Sequence, residues 1–144
     1  MRVSRTIEQL EGDPWPVPPR DAPDFVRRCQ SLRQLPIDQL SPSDLRVLVG
    51  QDIALKYLMP LALALLRFDP LLAAEHYPGD LLSVAMGVNV GFWKTAQGEH
   101  AELMSVANRA QSQIAEDTEP VKYRQVSKGI ARFLKAGGNS TWTP

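Results

Sequence analysis

Two histidines and one cysteine are the residues in this 144-residue chain from which metal or nucleophilic chemistry would have to be built. His76 and His100 each follow a glutamate, Glu75 and Glu99. A zinc protease needs two histidines four apart on one helix with the glutamate between them, and that spacing is absent. One cysteine and two isolated histidines do not make a structural zinc site either. Cys29 falls on an apolar helical stripe, where a thiol is ordinarily a small core residue. It also excludes an internal disulfide and fits a reducing compartment. Neither GxGxxG nor a GxxxxGKS-type phosphate loop occurs, and the glycines fall at predicted helix ends. These residues point away from catalysis and expect no cofactor. They leave binding.

Binding chemistry would have to come from charge. The net charge is zero, so no bulk attraction to nucleic acid or membrane is expected. The distribution is uneven: residues 1–68 carry nine basic and eight acidic side chains, residues 69–119 two and eight, residues 120–144 five and none. The acidic middle supplies the candidate partner-binding carboxylates Glu75, Glu99, Glu102, Glu116, Asp117 and Glu119. Glu102 and Glu116 fall off the apolar stripe of a predicted helix from Glu99, Asp117 and Glu119 extend the charge into the next loop, and Glu75 precedes Asp80. A carboxylate-rich face speeds encounter with a basic partner. Arg124, Lys128, Arg132 and Lys135 stack along one face of the last helix as a second candidate docking strip for an anionic partner. Without interleaved aromatics the strip is a weak nucleic-acid signal. The ordinary reading of both sets is a solvated surface on which the two charges face each other.

The element that must hold these surfaces together is Asp44 to Pro70. From Tyr57 to Leu66 every residue is apolar, about half the run of roughly 20 that a bilayer crossing needs. Leu58, Leu61, Leu65 and Phe68 step by three and four, widened by Met59, Ala62 and Leu66, which predicts a buried central helix. Pro60 is expected at its first turn, with a break near Met59.

Around it, Thr6 and Gln9 predict a capping box for a short helix ending at Gly12. Residues 13–23 hold five prolines and should be extended, with Trp15 pinned to the body. Asp21 is expected to cap a helix burying Phe25, Val26, Cys29, Leu32 and Leu35, with Arg27, Arg28 and Arg33 off that face. Ser41, Pro42 and Asp44 open the next helix, with Leu45, Leu48 and Val49 inward. Asp80 is expected to cap a helix through Val88, a role that asparagine could fill. Leu103, Val106, Ala107, Ala110 and Ile114 mark a helix over 99–116, and Tyr123, Val126, Ile130, Phe133 and Leu134 another after Pro120. The expectation is one all-α domain over residues 1–144, about six or seven helices around a central one, with a flexible tail at 137–144.

The ordered pieces Leu10-Glu11, RCQSLRQLP (Arg28 to Pro36), DLRVLVGQ (Asp44 to Gln51), YLMPLALALLRFDPL (Tyr57 to Leu71), YPGDLL (Tyr77 to Leu82) and Phe92-Trp93 resemble the immunity proteins of contact-dependent growth inhibition systems. The resemblance implies a cytoplasmic protein that binds and neutralises the C-terminal toxin domain of a cognate effector. It implies a protein partner, no nucleic acid, no stable membrane insertion, no catalysis and no cofactor. It makes Gly50, Pro60, Pro70, Pro78 and Gly79 markers of helix ends. Beyond residue 93 it offers no match. Two other readings stay open: an intracellular helical adaptor, and a peripheral membrane or RNA-binding module using the basic last helix. Co-purification with a single toxin domain separates the immunity reading from the adaptor, and liposome or RNA binding that falls with salt would favour the third.

Overall fold

Short polar residues set where the helices begin. Thr6 accepts the Gln9 N–H at 3.1 Å while the Gln9 side chain accepts the Thr6 N–H at 2.9 Å. Ser41 and Asp44 repeat that reciprocal pair at 3.1 and 2.9 Å, with Pro42 in the first turn. Each box satisfies two backbone donors that a helix start leaves without partners. The computed structural model describes residues 4–138. They form eight α-helices: α1 (Ile7–Glu11), α2 (Asp24–Leu32), α3 (Pro42–Gly50), α4 (Leu55–Phe68), α5 (Asp80–Met86), α6 (Val90–Thr95), α7 (Gln97–Glu116) and α8 (Arg124–Gly138). No strand or sheet occurs among the described residues, so the fold is all-α. The helix beyond the expected count is α6, one and a half turns carrying Phe92-Trp93. Helix α8 continues through Gly138, and the rest of the predicted tail lies outside the described residues.

Helix α4 packs on α3, α5 and α7, as a central helix must. Its start and its phase differ from the expectation. It begins at Leu55, after Asp52 and Ala54 reverse the chain at φ 56° and 51°, and it runs through Pro60 without the expected break. The N–H that Pro60 lacks would have met the carbonyl of Lys56, and both residues lie on the exposed side, where water can take that carbonyl. Leu55, Leu58, Met59, Ala62, Leu63 and Leu66 are buried, Leu61 and Leu65 lie at the margins, and Phe68 is 91% exposed. An all-apolar run carries no phase of its own; the neighbours choose it.

The centre is shared with α5, which touches α3, α4, α7 and α8. Here the capping expectation fails. Gly79 is the N-cap, in the left-handed region at φ 86°, and Asp80 is the first helical residue, fully buried. A Cβ at Gly79 would stand 2.8 Å from a Val126 methyl, so this glycine also lets α8 approach. On the other side Asp21 caps nothing, and α2 starts at Asp24 behind Pro23. Phe25 and Val26 are exposed, Cys29 and Leu32 are buried, and Leu35 sits at the surface.

Arg33, expected outside, is wholly buried. It donates to the Glu11 carboxylate and the Asp13 carbonyl at 2.8 Å each, and its guanidinium lies 3.9 Å from the Trp15 ring centre. Gln30 adds a bond to the Trp15 carbonyl at 3.2 Å. Trp15 is indeed pinned, and with it the start of the proline segment.

Candidate functional site

The six carboxylates singled out from the sequence do not form one patch. Glu75 belongs to an ion network that ties the loop before α5 to α2 and α3. It stands 3.4 Å from Arg28 and 3.6 Å from Arg46, while Arg28 reaches Asp44 at 3.5 Å. The anchor of that network is Asp80. Its carboxylate accepts the N–H groups of Ala74, Glu75 and His76 at 2.7, 2.9 and 2.8 Å and stands 3.4 Å from Arg46. Burial alone would push this carboxyl up; the N–H groups of His76, Ala74, Glu75 and Tyr77 outweigh it and hold it below its ordinary value. Asp80 shapes a loop and offers no acid to a substrate.

Glu99 and Glu102 lie at the start of α7. Glu102 takes the Arg67 guanidinium, its Nε at 2.7 Å. Glu99 is part-buried with Oε2 unbonded, and burial, then the charge of Glu102, raises its carboxyl. Glu116 is at the far end of α7, about 25 Å away at 1.5 Å per residue. Asp117 accepts the Glu119 N–H at 2.8 Å and the Tyr123 hydroxyl at 3.2 Å, with Lys122 3.4 Å away. The Glu119 N–H is the main reason its carboxyl sits low. Only Glu116 and Glu119 of the six are exposed with no ion pair among the described residues.

The basic strip is brought together. Arg124, Lys128, Arg132 and Lys135 are all exposed on α8, and none forms an ion pair among the described residues. The expected pairing with the acidic middle is made by Lys122 alone, upstream of the strip. Beside the strip runs a groove of about 490 Å³ between α8 and the α5–α6 corner. Met86, Val88, Trp93 and Phe133 line it with apolar surface, and Lys128 and Arg132 line it with charge. Trp93 is 2% exposed and packs edge-on against His100 at 5.3 Å, which packs on Phe133 at the same separation. Sequence reasoning marked Phe92-Trp93 and the cations separately; nothing local says that they meet.

Cys29 is buried and unbridged, and burial pushes its thiol up against the smaller opposing effect of Arg28. No helix among the described residues is long and apolar enough to cross a membrane. A model of the CDI (contact-dependent growth inhibition) immunity proteins matches residues 9–103, from α1 into the first turns of α7. No curated protein and no solved structure matches the chain.

Proposed function

Because the chain belongs to the CDI immunity proteins, we propose that it binds the C-terminal toxin domain of a cognate effector in the cytoplasm and neutralises it by occupancy, without catalysis. The family match over residues 9–103 carries this reading. Three groups that could do chemistry support it, because each is committed to structure. The Asp80 carboxylate holds a loop, the Cys29 thiol is buried and hard to ionise, and His100 is packed between two aromatic rings. The matched region also contains the Ser41–Asp44 capping box, the Asp80 network and most of the core, so it specifies a scaffold. The test is co-expression with the C-terminal toxin domain of a candidate cognate effector. The expected result is a stable complex on gel filtration and restored growth of cells producing the toxin domain. Growth arrest unrelieved by this protein, with no complex, overturns the reading.

A further inference from the structure

We infer that the groove between α8 and the α5–α6 corner seats an acidic, amphipathic segment of the toxin domain, its apolar side chain on the groove floor and its carboxylates on Lys128 and Arg132. The inference rests on the neutralising function proposed above and assigns its contact surface. Four observations carry it. The volume, about 490 Å³, falls in the range of pockets that enclose a ligand, roughly 300–1,000 Å³. The floor is preformed: Trp93 and Phe133 are held by the His100 stack, so little ordering is required on binding. The rim is cationic and unneutralised, since Lys128 and Arg132 have no ion pair among the described residues and Arg124 and Lys135 continue the charge along α8. Gly129 lies between the two rim cations in mid-helix, where glycine is unfavourable. A Cβ there would only touch the flexible end of Met86 at 3.4 Å. The fold tolerates a side chain at that position; the open groove would be narrowed by it.

This arrangement discriminates among occupants. The apolar surface is recessed below the cations, which suits a protruding side chain better than a flat bilayer. Among the described residues no exposed aromatic alternates with the cations on α8, so stacked bases find no platform there. A protein segment bearing one apolar anchor flanked by acids satisfies both parts. Complementary charge at the rim mainly speeds association, whereas the seated side chain slows dissociation.

The experiment measures binding of the full chain to the same toxin domain by surface capture at two salt concentrations, with circular dichroism and melting to verify folding. Lys128 and Arg132 are exposed, so K128E/R132E leaves the core untouched. Its expected effect is association slower by on the order of tenfold at low salt, with most of the difference lost at high salt. Val90→Asp is the second variant. Val90 is 53% exposed, lines the groove and begins α6, where an acid suits the helix start. It is expected to shorten the complex lifetime by repelling the acidic segment. Wild-type rates in both folded variants overturn the inference. So does loss of binding in E116K/E119K with retention in K128E/R132E, which would place the contact on the acidic side. A wild-type dimer in sedimentation that K128E/R132E dissolves while toxin binding persists assigns the groove to a second copy and overturns it as well. If the wild-type protein fails to bind the toxin domain at all, the neutralising reading falls and takes this inference with it.

Discussion

Asp80 shows what a single buried carboxylate can organise. Three backbone N–H groups converge on it, and hydrogen bonds to an ionised group contribute about 1.5–3 kcal/mol each, less when counted together. Asp80→Ala is expected to lower unfolding free energy by about 3 kcal/mol in urea titration. Asp80→Asn is expected to be destabilising too, by about 2 kcal/mol, because an amide NH2 then faces backbone donors. A helix cap would have tolerated that change; a carboxylate surrounded by donors does not. Glu99 is the opposite case. Its raised carboxyl means that the folded state disfavours the charge, so Glu99→Gln is expected to raise the melting temperature at pH 7. The gain should vanish below the ordinary carboxylate value of 4.5, where Glu99 is protonated in both states.

At the scale of elements, α4 offers a test of which face is inward. Leu66 is fully buried, so Leu66→Ala is expected to cost about 3 kcal/mol, within the usual range for buried leucines. Leu65→Ala, one position on, should cost markedly less, and Phe68→Ser should leave the melting temperature nearly unchanged. Equal losses at Leu65 and Leu66 would contradict the observed orientation. The proline segment rests on Arg33 in the same way. Arg33→Lys keeps the charge but loses the planar stack on Trp15 and the two-bond reach to Glu11 and Asp13. It is expected to speed proteolytic cleavage within residues 13–23 more than it lowers global stability, as limited proteolysis beside urea unfolding would show.

For the whole molecule, two buried groups with lowered pKa values, His100 and Asp80, contribute stability that acid removes. Burial lowers His100 below 6.5, so the unfolded chain binds the proton more readily. Its contribution is complete above 6.5 and is lost as pH falls below that value. The contribution of Asp80 is complete above the ordinary 3.8 and is lost as pH falls further. Stability should therefore decline in two stages on acidification, the first beginning as pH falls below 6.5. His100→Phe, which keeps an aromatic between Trp93 and Phe133, is expected to flatten that first stage in urea titrations. An undiminished decline in this variant would assign it to another group.

By itself the sequence determined the all-α class, the starts at Thr6 and Ser41, the stop at Gly12, and the inward stripes of α7 and α8. Each depends on residues within one or two turns, and in α7 and α8 polar positions alternate with apolar ones clearly enough to fix the phase. The family resemblance was legible too, in ordered pieces along residues 6–93. The face that α4 buries was not, because every position from Tyr57 to Leu66 is apolar and only α3, α5 and α7 select among them. The burial of Arg33 and Asp80 was equally invisible. A charged group stays inside only when partners converge on it, and those of Arg33 lie about twenty residues upstream in the chain. The groove is the extreme case: its floor and its cations come from segments about forty residues apart, and they become one surface only when α8 packs on α5 across Gly79.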